Sequence, residues 1–223
     1  MTPAVDRVVQ ALLDSHGRTY CEELGIAIER NTPAALFCWL CASLLFSARI
    51  SAELARRGAR ALIEEGWTTP QKMAAASWAD RAQVLNQAGY ARYDERTSTM
   101  LGQTAELLLR DYGGDLRRLR ERAGRNPTEE RKLLKQFKGI GDVGADIFCR
   151  EVQAVWDELF PFADKKALAA AHRLGLGDDA AALAKLVSRR DFPRLLAALI
   201  RTGLSKDDES VLGRAASERS AAN

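Results

Sequence analysis

Phe137-Lys138-Gly139-Ile140-Gly141-Asp142-Val143-Gly144-Ala145-Asp146 decides how the rest of the chain is read. Helix formers, Arg131-Lys132-Leu133-Leu134-Lys135-Gln136, lead into its two close glycines, and Ala145-Asp146-Ile147-Phe148 resumes a helical apolar pattern after them. Gly139 and Gly141 therefore mark a tight turn between two helices. Such a turn points backbone N–H groups outward. At a helix start those groups have no internal partner and sit at the positive end of the macrodipole, which suits a phosphate oxygen. A bare Gly-x-Gly is equally the mark of an ordinary helix–helix turn, so its surroundings have to decide.

Outward from the turn, nearly every segment has helical spacing, with clear start and stop signals and no period-two alternation, which predicts an all-α fold. Upstream, Asn126-Pro127 caps the helix that enters the turn. Downstream, Phe160-Pro161 is expected to end the helix that leaves it. Further helices are predicted from the stripe Val8, Val9, Leu12 and Leu13, and from Thr32-Pro33 to about Ser47, the latter apolar on most faces and so central to the core. Others follow from Glu53 to Glu65, from Thr69-Pro70, from a capping box at Ser77 with Asp80, and from about Glu95 to Tyr112. Beyond Gly175, Ala180 to Val187 and Arg194 to Ile200 look helical, and the tail from Ser205 reads as polar with a mobile end.

A chain of 223 residues that is 47% hydrophobic can bury a full core as one domain or two small ones. No run of eighteen apolar residues and no secretion signal is present, so an intracellular protein, cytoplasmic or associated with nucleoid or nucleus, is expected with no membrane partner. The formal charge of +3 is mild, but cations crowd between Arg110 and Arg150, including Arg117, Arg118, Arg120, Arg122, Arg125, Arg131, Lys132, Lys135 and Lys138. That clustering fits a phosphate-facing surface, or a solvated helix face. Four cysteines are too few for a disulfide framework, and Cys38-x-x-Cys41 lies in an apolar helical run where packing is the stronger reading.

With Asp164-Lys165-Lys166 and His172-Arg173-Leu174-Gly175 following it, the turn resembles that of the helix-hairpin-helix DNA glycosylases, the superfamily of endonuclease III and the adenine glycosylase MutY. The family's hairpin reads roughly Leu-x-Gly-(Val/Ile)-Gly-x-x-x-Ala, and 137–145 matches it with Phe for Leu. Gly139-Ile140-Gly141 with Gly144 and Asp146-Ile147-Phe148-Cys149 looks closest to the methyl-CpG-binding-domain thymine/uracil glycosylase. The likeness covers about Pro33 to Gly175. It implies a helical-barrel domain over 30–150, a second helical domain from 1–29 and 151–223, and a DNA-binding cleft between them. Many endonuclease III relatives hold an iron–sulfur cluster on four cysteines after the catalytic Asp. No cysteine follows Cys149 here, so no such cluster is expected.

The resemblance also assigns roles. Asp164 becomes the catalytic carboxylate that stabilises an oxocarbenium-like sugar as the C–N glycosidic bond breaks, a role compatible with that of an N-cap aspartate. Lys138, Gly139, Ile140, Gly141, Val143 and Gly144 would grip backbone phosphate. Arg49, in the turn after the apolar helix, would enter the duplex beside the extruded nucleotide; as a bare residue it is a solvated arginine at a helix end. Gly89-Tyr90-Ala91-Arg92-Tyr93 stands where the family carries a wedge loop, with the role open between Tyr90 and Arg92 and the aromatics equally suited to a core. Members that also cut the strand use a lysine two residues after the second hairpin glycine, and Val143 occupies that position. The expected function is therefore a monofunctional glycosylase acting on double-stranded DNA with a flipped damaged or mismatched base. A glycosylase/lyase working through Lys165 or Lys166, and a catalytically inactive DNA-structure-binding protein, are the alternatives. A monomer is expected, with no cofactor beyond the monovalent cation that hairpins of this family often bind.

Overall fold

The computed structural model describes residues 3–90 and 93–221. In chain order its helices are α1 (Pro3–His16), α2 (Tyr20–Leu24), α3 (Pro33–Phe46), α4 (Ala52–Glu64), α5 (Pro70–Ala75), α6 (Trp78–Leu85), α7 (Asp94–Tyr112), α8 (Leu116–Arg122), α9 (Pro127–Leu134), α10 (Asp142–Val152), α11 (Lys165–Arg173), α12 (Ala180–Ala184), α13 (Phe192–Ser205) and α14 (Asp208–Ala221). No strand occurs among the described residues, and no helix there is long and apolar enough to cross a membrane. Contacts divide the chain into two units, Leu24–Glu158 and Met1–Glu23 with Leu159–Asn223.

The larger unit is built around α3. Thr32 accepts a hydrogen bond from the Ala35 amide and Pro33 fixes the first helical φ, so the helix starts where its sequence says it should. Ten of its 14 residues are buried, because α4 and α10 both pack on it. Trp39 donates its indole N–H to the Phe148 carbonyl at 3.1 Å, tying α3 to α10. Thr69, Ser77 and Asn126 cap α5, α6 and α9, and Ser77 forms the full capping box with Asp80. After α6 the chain runs through a π turn, Asn86–Tyr90, broken by Gly89 at φ 88°.

The helix that leaves the hairpin is shorter than the sequence suggests. It ends at Val152 instead of Phe160, because the chain must turn to bury Trp156. That ring meets Phe148 edge-on at 5.7 Å, and its N–H reaches the Asn31 side chain at 3.2 Å. Burial of a whole indole with its N–H satisfied outweighs two more turns of helix. All four cysteines are thiols, with Cys21, Cys41 and Cys149 buried. Burial pushes Cys38 up to about 11 and Cys149 up to about 12. The Cys38-x-x-Cys41 pair is packing, and no three His, Cys, Asp or Glu side chains gather as a metal site among the described residues.

In the smaller unit α13 is the buried helix, with α1 and α11 packed against it. The polar tail is a further correction to the sequence reading. It forms α14, which lies on α1 and buries Val211 and Ala215, one turn apart. Arg7 bonds the Ala215 carbonyl at 3.2 Å. Two apolar positions at helical spacing suffice when a partner helix is waiting for them.

Candidate functional site

The hairpin is held by its apolar residues and shaped by its glycines. Phe137 stacks on Tyr112 at 6.1 Å, and both Phe137 and Ile140 are buried. The Ile140 amide bonds the Phe137 carbonyl at 3.0 Å, which closes the turn and leaves Lys138 and Gly139 facing outward. Gly139 has φ 91°, and a Cβ there would stand 2.7 Å from the Met100 sulfur and 3.3 Å from Leu44. Only glycine meets both demands without a shift. Gly144 lies inward, where a Cβ would come 3.3 Å from Ile140 and 3.6 Å from Ser47.

Gly141 is different. Its φ of −97° is open to any residue and nothing lies within 4 Å of a Cβ there. What it provides is the lack of a side chain: it is the N-cap of α10, and no side chain caps that helix. The first-turn amides are thus presented in an exposed segment, 141–143, with Val143 48% exposed at its tip. Two ion pairs brace the hairpin's arms, Arg131 with Asp146 at 2.6 Å and Lys135 with Asp142 at 2.9 Å. The Asp142 carboxyl is held low by the bond from Lys135. Several cations of the sequence cluster are therefore committed within the unit, as are Arg117 to Asp115, Arg120 to Glu158 and Lys132 to Glu129. The exposed pairs are weak enough to exchange for phosphate.

The turn that follows α3 adjoins the hairpin. The Ser47 hydroxyl donates to the Leu44 carbonyl at 2.7 Å and stands 3.5 Å from the Gly139 carbonyl. Arg49, two residues on, is exposed. Tyr90 takes the second of its two readings: it is 1% exposed, its ring packs where Gly58 leaves room, and its hydroxyl donates to the Leu45 carbonyl at 3.4 Å. A ring so placed belongs to the core. Arg92 lies outside the described residues. Met100 touches the hairpin without any local signal in the sequence, since its part is played by packing across the unit alone.

Asp164 belongs to the other unit. It is the N-cap of α11, and its Oδ1 accepts from the Lys166 amide at 2.8 Å and the Ala167 amide at 3.0 Å. The residue is 7% exposed, so its carboxyl is fixed in one direction, while Lys165 and Lys166 beside it are exposed. Arg173, at the far end of α11, pairs with Asp208 of α14 at 2.6 Å and serves the fold.

No protein-family model and no curated protein matches the sequence. Among solved structures, the chain is similar to a non-covalent endonuclease III–DNA complex, at 19% identity over 77% of this chain and 73% of that one, with a TM-score of 0.49. It is also similar to a trapped endonuclease III–DNA covalent intermediate, an estranged-adenine complex, at 17% identity over 73% and 71% and a TM-score of 0.47.

Proposed function

We propose that the chain is a monofunctional DNA glycosylase of base excision repair. The observation that supports this most is the uncapped, exposed start of α10 behind a glycine-shaped hairpin, a surface suited to backbone phosphate. Lys138 adds a positive charge beside it, and Gly139, Ile140, Gly141, Val143 and Gly144 give it shape. A monovalent cation, should one join the hairpin, would be held by its backbone carbonyl oxygens.

Asp164 is the catalytic residue of this reading. A target base flipped out of the stack loses its C–N bond to the sugar, and the carboxylate stabilises the positive charge that develops at that carbon. Water then adds its oxygen to the sugar carbon, and its proton leaves with the base. The two amides of α11 that hold Oδ1 keep the group aligned. With Val143 where a strand-cutting relative carries lysine, the product is an intact strand with an abasic site. Arg49 fills the gap left in the duplex. Deaminated or mismatched pyrimidines are the proposed substrates.

The test is base release from duplexes carrying U·G, T·G, an oxidised pyrimidine, oxidised guanine or alkylated adenine, for wild type and Asp164→Asn. Release that needs alkali for strand scission and disappears in the variant supports the reading. A protein–DNA adduct trapped by borohydride would make the enzyme a lyase as well. Tight binding to abasic DNA with no release from any duplex would make it a binding protein.

A further inference from the structure

The arm that leads into the hairpin carries a buried carboxyl that the chemistry above does not use. Glu130, on α9, is 0% exposed. Among the described residues no N–H or O–H donor is bonded to either of its side-chain oxygens. What it meets is the carboxyl of Glu158, within hydrogen-bonding reach. Glu158 is gripped in turn by Arg120 of α8 through two bonds of 2.5 Å and 2.6 Å. The Arg120 guanidinium also lies over the Trp156 ring, 5.6 Å from its centre.

Two carboxyls in contact away from water need one proton between them, since without it both are acceptors and two like charges face each other. Arg120 decides which group keeps the charge. Burial first, then the bond to Glu158 and its negative charge, push Glu130 up to about 8 against the opposing pull of Arg120. Burial acts to raise Glu158 too, but the bonds from Arg120 and Glu130 outweigh it and hold that group well below the usual carboxylate range.

We propose that Glu130 stands in the folded protein as a neutral acid donating its proton to Glu158, and that this shared proton locks α9 against α8 and the 157–159 turn. The other charged groups around it leave that arrangement intact. Asp157 adds a negative charge near Arg120. Cys149, facing from α10, stays a neutral thiol because burial pushes it up to about 12. Arg131, beside Glu130 on α9, is committed to Asp146. Arg120 is thus the cation that the two carboxyls share. Once the proton leaves, two negative charges hold one guanidinium, and the arm of the hairpin loosens.

An unfolded glutamate releases its proton near 4.5, while Glu130 keeps it up to about 8 in the folded protein. This group's contribution to stability is complete below 4.5 and is lost as pH rises to about 8. The proposal stands whether or not the chain acts on DNA.

Two measurements on the intact chain test it. The side-chain carboxyl carbons of glutamate, followed by NMR across pH, should include one that keeps its protonated shift at neutral pH and titrates near 8. Amide exchange across 128–141, corrected for its intrinsic pH dependence, should lose protection by up to about tenfold per pH unit as pH rises from 4.5 to about 8, and level off above it. In Glu130→Gln, which keeps a donor toward Glu158 but cannot ionise, the protection should stay level. Titration of every glutamate carboxyl in the ordinary range would overturn the proposal without any variant. Parallel loss of protection in wild type and Glu130→Gln would overturn the lock.

Discussion

Two helix starts in this molecule handle the same problem in opposite ways. At α11 the Asp164 side chain takes up two of the first amides, so the helix start is closed and carries a fixed negative charge. At α10 the N-cap is Gly141, no side chain covers the amides, and the segment is exposed. A closed start orients a carboxylate toward whatever else meets it; an open start accepts an anion from outside. The same backbone feature thus takes opposite chemistries, depending on one residue.

Exchanging the chemistries of the two helix starts separates their roles. Asp164→Asn keeps the cap, because asparagine serves an N-cap as well as aspartate, so thermal stability should move by less than about 0.5 kcal/mol. Base release should fall on the order of 10²- to 10³-fold, measured by single-turnover excision. Gly139→Ala tests shape in place of charge. With φ at 91° and Met100 in the way of a Cβ, it should cost about 2 kcal/mol in denaturant unfolding and weaken DNA binding with it.

Gly141→Asp would give α10 the cap that α11 has. Backbone and space both permit it, so stability should rise by a few tenths of a kcal/mol, within about 0.5 kcal/mol. Affinity for abasic DNA should nevertheless drop at least about tenfold, since the carboxylate would take the amides and repel phosphate. Unchanged affinity would mean that the open start is not the phosphate site. The smallest effect belongs to Tyr90→Phe, which gives up a long hydrogen bond of 3.4 Å to the Leu45 carbonyl and a bond with the Thr97 side chain. It should cost under about 1 kcal/mol and leave excision untouched, whereas a wedge residue would not tolerate the change so quietly.

Helix starts were legible because a cap is local chemistry: Thr32, Thr69, Ser77 and Asn126 each bond an amide two or three residues on. The hairpin was legible for the same reason, through glycines that a short turn requires. Helix ends and burial were not. Nothing local tells that Trp156 will be drawn under Phe148 and stop α10, or that Val211 and Ala215 will find α1. Glu130 shows the limit best. In Thr128-Glu129-Glu130-Arg131 it looks like its solvated neighbour, and only the approach of Glu158 and Arg120 from other segments makes it a different acid.

The burial of the thiols has a practical meaning for labelling. Cys21, Cys41 and Cys149 are shut away from reagent. Cys38, held up to about 11, offers at neutral pH a thiolate fraction on the order of one in 10⁴. The native chain is therefore nearly silent to maleimides, and a cysteine placed at the exposed Val143 would carry a single dye at the hairpin tip without removing any natural residue elsewhere.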